Sequence, residues 1–180
     1  MTVFVVASPE NKLDKKGRAS GWRNVPLDHK SKSCWKSVLE QVKGKGVQHV
    51  FASDLDGEAA HVAGNELRVP VRLDFGYRRF NCGRHHAAPL TRVDEILGEL
   101  EHKWKSNPAI PIKGGDSLLS YEKRFVKKFN RLLEGEGSVL FITDARSIHM
   151  IRGQFNPHAL VPNGNPVKLD KVYKVKKEGT

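Results

Sequence analysis

Val3-Phe4-Val5-Val6-Ala7-Ser8-Pro9-Glu10-Asn11, followed by Arg18-Ala19-Ser20-Gly21-Trp22 and Pro26-Leu27, is the stretch that decides how this chain folds. Four consecutive apolar residues stopped by Ser8-Pro9 read as a short strand closed by a turn. Nothing in Met1-Thr2-Val3-Phe4 looks like a basic leader or a small-residue cleavage site, so the first strand is expected to belong to the fold.

Working outward, strand and helix patterns alternate, which implies a mostly parallel sheet with helices on both faces, a three-layer α/β/α sandwich. Strands are expected at Val3–Val6, Val47–Ala52, Val69–Leu73, Val139–Thr143 and Val167–Val175. Helices are expected at Ser33–Lys43, Gly57–Gly64, Pro89–Lys105 and Ser117–Glu134. In the third, Val93, Ile96, Leu97 and Leu100 share one face; in the fourth, Leu118, Leu119, Phe125, Phe129, Leu132 and Leu133 do, with Gly135 and Gly137 as the stop. Asp116-Ser117 is expected to cap that helix. The final strand alternates Val167, Leu169, Val172 and Val175 with lysines, slips near Lys171, and reads as a charged edge strand.

The chain has 180 residues, enough for one full core, and a single domain over residues 1–180 is expected. No apolar run approaches the ~20 residues needed to cross a bilayer. Cys34 and Cys82 lie in unrelated segments without a CxxC pair, which argues against a disulfide framework or zinc site and makes cytoplasm the default location. His85-His86 lacks a second ligand pair at fixed spacing, and His149 and His158 are isolated, so no metal is expected. Gly114-Gly115 is not followed by the Lys-Ser/Thr of a phosphate loop, and no cofactor is expected. There is no internal repeat or low-complexity tract.

The opening motifs resemble the histidine phosphatases, the phosphoglycerate-mutase-like family, whose first strand ends in Arg-His-Gly-Glu-Thr and leads to Arg-x-x-Gly-Trp and Pro-Leu. The resemblance covers nearly the whole chain. Phe51-Ala52-Ser53-Asp54-Leu55 is similar to the family's second strand and Ser-Asp-Leu turn, and Gly114-Gly115-Asp116-Ser117 to its Gly-Gly-Glu-Ser. Val139 to Ala145 is similar to the late strand ending in Ser-His-Gly, and Val161-Pro162-Asn163-Gly164 to the C-terminal ending.

The resemblance implies a phosphoglycerate mutase-like fold, and it places unusual residues at the family's reactive positions. Laid on Arg18 without a gap, it puts Ala7 at the first motif arginine, Ser8 at the phosphorylated histidine and Pro9 at the glycine. Gly57 falls at a phosphate-contacting arginine and Asp144 at the second histidine, while Asp74 lies near the family's acid. Family catalysis attacks phosphorus with an imidazole, neutralises the equatorial oxygens with arginines and the second histidine, and protonates the leaving group. Ser8 without an adjacent base cannot replace an imidazole, and Asp144 would repel the anion that Arg146, two residues on, could only partly offset. The resemblance therefore implies a pseudoenzyme with no catalytic residues, and Ser8, Arg18, Asp144 and Arg146 as candidate lining of a vestigial ligand pocket.

The formal net charge is +11, a quantity that attracts polyanions by steering and counterion release. Tyr77-Arg78-Arg79-Phe80, with Arg84, interleaves aromatics and arginines where the family places its pocket lid, a candidate polyanion contact. Three readings stay open: a non-catalytic binder or regulator with an unknown protein partner, a basic protein binding nucleic acid or a phosphorylated ligand through the pocket rim, and a phosphatase with rearranged groups using His61 or His149.

Overall fold

The computed structural model describes residues 1–152 and 171–176. Five strands form one sheet: β1 (Thr2–Ala7), β2 (Val47–Ala52), β3 (Val71–Leu73), β4 (Ser138–Thr143) and β5 (Val172–Lys176), in the order β3-β2-β4-β1-β5. β1 and β2 both run parallel to the central β4, β3 runs parallel to β2, and β5 alone is antiparallel, against β1. β5 is an edge strand, as its lysine alternation predicts; residues 167–170 of the expected strand, the Val161–Gly164 ending and His158 lie outside the described residues.

Alternate side chains of β1 and β4 enter two cores, one on each face. Phe4, Val6, Leu140 and Ile142 pack with Trp35, Val38 and Leu39 of α1 (His29–Glu40) and Ala59, Ala60 and Ala63 of α2 (Gly57–Leu67). Val3, Val5, Val139 and Phe141 face the larger core, built by α3 (Leu90–Trp104), α4 (Leu118–Tyr121), α5 (Lys127–Leu133) and α6 (Ala145–Arg152). This is the expected three-layer arrangement, with a mostly parallel sheet between helices. The larger core is aromatic: Trp104, Tyr121, Phe125, Phe129 and Phe141 are fully buried, and truncating one such ring to alanine costs about 3–5 kcal/mol.

Beyond shifts of element ends, such as α1 at His29–Glu40 and β3 at Val71–Leu73, two local features differ from the sequence expectation. The Ser117–Glu134 helix is interrupted by a π turn at Glu122–Val126, and α6 follows β4 directly where no helix is expected. Ser117 caps α4 through a reciprocal bond with Ser120, and Asp116 gives one oxygen to the Ser120 hydroxyl and the other to Arg124 and the Asn81 backbone N–H. Among the described residues no helix is long and apolar enough to cross a membrane.

Candidate functional site

The register aligns Ala7 with Thr143 and Ala52 with Ile142, so β1, β4 and β2 end side by side. The segments that follow them converge at this carboxyl edge, where open α/β sheets bind their ligands. Ser8 begins one segment, and its N–H donates to the Thr143 carbonyl at 2.7 Å. The Ala7 carbonyl accepts from the buried Trp35 indole at 3.1 Å, which pins the end of β1 to α1. Ala7 itself is 1% exposed and belongs to the core.

Asp144 opens α6 as its N-cap. One oxygen accepts from the backbone N–H groups of Arg146 (3.0 Å) and Ser147 (3.2 Å), and the other accepts from the Ser147 hydroxyl. Ser147 is in turn 2.7 Å from the buried Tyr121 hydroxyl. The Asp144 carboxylate is therefore committed to local structure. Arg146, which could offset Asp144 only by turning inward, pairs instead with Asp94 of α3. Arg18 is exposed and braces the opposite loop, donating to the Ala87 carbonyl at 2.7 Å. The four residues read from sequence as one pocket lining are thus divided: Ser8 and Asp144 stand at adjacent strand ends, and the side chains of both arginines are bonded to other partners.

The cation at this edge is instead Arg79. It donates to Asp56 at 2.8 Å and to the Ser20 hydroxyl at 2.7 Å, with Asp56 buried and bonded to Ser53 at 2.6 Å. Burial acts to lower the pKa of its guanidinium, but the carboxylates of Asp56, Asp144 and Asp14 outweigh it and the net shift is upward. Asp14 moves up from the usual carboxylate range, chiefly through burial, against the pull of the Asn11 N–H and Arg79. Arg79 thus stands among three carboxylates within a strongly basic protein. Two buried polar atoms here, Arg79 Nε and Thr143 Oγ1, have no hydrogen-bond partner among the described residues.

The other rim residues are also placed differently from the expectation. Tyr77 and Phe80 are each 4% exposed; Tyr77 stacks edge-on against Phe141 and Phe80 against Trp104 and Tyr121. Their rings are spent in the core, and burial pushes the Tyr77 hydroxyl up to about 12. Arg78 pairs with Asp54 and lies over Trp22 and Phe75. Only Arg84 of the five is exposed. Arg124, on the π turn, holds this segment by donating to the carbonyls of Arg78 (2.6 Å) and Arg79 (3.3 Å) and to Asp116 (2.8 Å). Asp74 pairs with Lys128 at 2.6 Å and caps the turn at Gly76. Gly57 starts α2, and a β-carbon there would meet only the Leu73 side chain at 3.3 Å. His61 is exposed on α2. The described residues hold no group of three potential metal ligands.

The mostly parallel five-stranded sheet between helices is the phosphoglycerate mutase-like fold. Residues 9–163 match the model of the histidine phosphatase superfamily (branch 1), and the chain belongs to that superfamily. The match begins just after Ala7 and Ser8. No curated protein matches the chain in sequence. Among solved structures it is similar to YhfR of Bacillus stearothermophilus, with a TM-score of 0.77 and 17% identity over 99% of this chain and 92% of that one. It is similar to a phosphoglycerate mutase from Bacillus anthracis, with a TM-score of 0.75 and 16% identity over 97% and 86%. A mycobacterial glucosyl-3-phosphoglycerate phosphatase, solved in complex with VO3, gives 0.76 and 14% over 96% and 90%.

Proposed function

We propose that this chain is a non-catalytic member of the superfamily, acting as a binding or regulatory protein. The observation that carries this reading is the electrostatics of the strand-end site. Asp144 stands at the end of β4 as a helix cap, and the nearby guanidinium of Arg79 is already bound to Asp56. A unit negative charge held about 4 Å from a carboxylate is disfavoured by about 4 kcal/mol at an effective dielectric of ~20. A phosphoryl group entering beside Asp144 and Asp14 meets that repulsion before any chemistry begins. Removing even one charge-stabilising donor from such a site typically costs ~10²–10³ in rate.

The nucleophile is missing on the same grounds. Ser8 needs a base to attack phosphorus at neutral pH, and among the described side chains, which do not include that of His149, no histidine hydrogen-bonds it. His86 accepts from the Trp22 N–H, and His61 faces solvent. Asp74, the candidate acid, has no partner reaction to serve and is held by Lys128. Several structurally similar proteins are phosphatases or mutases, so phosphate release is the measurement that separates this reading from a retained activity. Placement in the cytoplasm belongs to the same proposal and rests on the two unpaired-in-sequence cysteines, of which Cys82 is buried with its thiol pushed up by burial.

A further inference from the structure

We propose that three loops free of carboxylates form a face that grips the phosphate backbone of duplex nucleic acid. The loops are residues 15–27, 83–93 and 106–115, and none contains an aspartate or glutamate. They carry Lys16, Arg18, Arg23, Arg84 and Lys113, none of which makes an ion pair among the described residues, while Lys15 and Arg92 pair with Glu10 and Glu95 just outside them. All five are exposed. Around the strand-end site, by contrast, Arg78, Arg79, Arg124, Arg146 and Lys128 are each matched to an aspartate.

The three loops are zippered into one surface by backbone bonds. Ala19 N–H donates to the Ala88 carbonyl (2.9 Å), Ala87 N–H to Ala19 (2.8 Å) and Leu90 N–H to Gly17 (2.9 Å). Arg84 N–H donates to the Lys113 carbonyl at 3.2 Å. The approach is close enough to require glycine twice. At Gly83, φ 57, a β-carbon would lie 2.2 Å from the Lys113 carbonyl oxygen, and at Gly21, φ 54, it would lie 1.8 Å from His86 Nδ1. Ala87 is held at φ 65, a conformation an alanine adopts only when its surroundings impose it. The cations are thereby presented on a pre-ordered surface. The His86 imidazole is held below its ordinary pKa by burial and then by Arg23 and His85.

Cations spread over three loops suit an extended polyanion better than one small phosphate. The loops' one large aromatic, Trp22, is half-buried, with its indole N–H bonded to the Arg79 carbonyl and its ring packed on Phe75 and Arg78. Without a free ring to stack on bases, contact is through phosphates, and duplex is favoured over single strands. This surface uses different residues from the strand-end site, and it stands whether or not that site is silent.

The test is fluorescence anisotropy of a labelled 20-base-pair duplex of arbitrary sequence, titrated with the full chain at several salt concentrations. Five neutralised phosphates correspond to a log–log salt slope of about −4.5. The triple variant Arg23→Gln, Arg84→Gln, Lys113→Gln is expected to flatten the slope by about 2.7 and weaken binding at least tenfold at low salt. Lys123→Gln, Lys127→Gln, Arg131→Gln removes the same charge from an exposed helical face and is expected to change binding less than twofold. No binding at low salt, or equal weakening by both triples, overturns the proposal. So does a polyglutamate of matched charge that binds as tightly as the duplex, which would point to an acidic protein segment instead.

Discussion

Arg79 Nη2 stands 2.8 Å from Asp56 Oδ1, with both side chains largely buried. The same guanidinium reaches Ser20 on its other side, so one residue ties the segment after β1 to the turn after β2. Cutting a buried pair on one side leaves a charge without a partner, which typically costs about 3–5 kcal/mol. Arg79→Ala is therefore expected to destabilise the fold by about 3 kcal/mol in urea denaturation. Asp56→Ala combined with Arg79→Met should recover part of that loss, because neither charge is then stranded. A cost below about 1 kcal/mol for Arg79→Ala would show that Arg79 is free to serve a ligand.

Asp144 acts on α6 as a hydrogen-bond acceptor more than as a charge. Asp144→Asn keeps an oxygen for the Arg146 and Ser147 N–H groups and should cost only a few tenths of a kcal/mol. Asp144→Ala removes the cap and one of the two partners of the Ser147 hydroxyl, and about 1–2 kcal/mol is expected. Equal costs for the two variants would mean that the carboxylate's charge, and not its capping geometry, is what the fold uses.

His86 gives the protein a pH dependence of definite sign. Its imidazole accepts from the Trp22 N–H, and burial, Arg23 and His85 hold its pKa below 6.5 in the folded state. The folded chain thus binds its proton less readily than the unfolded chain. The associated stability is complete above about pH 6.5 and is lost as pH falls through the folded-state pKa. His86→Asn offers an oxygen acceptor that does not titrate, and it should flatten this part of the stability–pH curve. An unchanged curve would assign the slope to other groups.

Much of the fold was legible because β-branched runs and one-faced helices are local patterns. Val47–Ala52 was placed to the residue, and the faces of Val93, Leu97 and Leu100 and of Phe125 and Phe129 were recognised as core. The loop Tyr77–Phe80 was misread because it has no period that separates inside from outside. Alternating aromatics and arginines looked like a rim, yet the rings went to the core and Arg79 to a carboxylate 23 positions earlier. No spacing rule links Asp56 to Arg79; only the convergence of strand ends does. Helix α6 escaped notice because its eight residues, Ala145–Arg152, are too few for a periodic signal, although Asp144 followed three residues later by Ser147 is a capping pattern that could have marked its start.

Phosphate release is the decisive measurement for a silent strand-end site. The purified chain, incubated with p-nitrophenyl phosphate, a phosphoglycerate and a phosphopeptide at neutral pH, is expected to release no phosphate above buffer. Turnover that survives purification and is abolished by Ser8→Ala or Asp144→Asn would contradict it, and would make those two strand-end residues part of a rearranged phosphatase site.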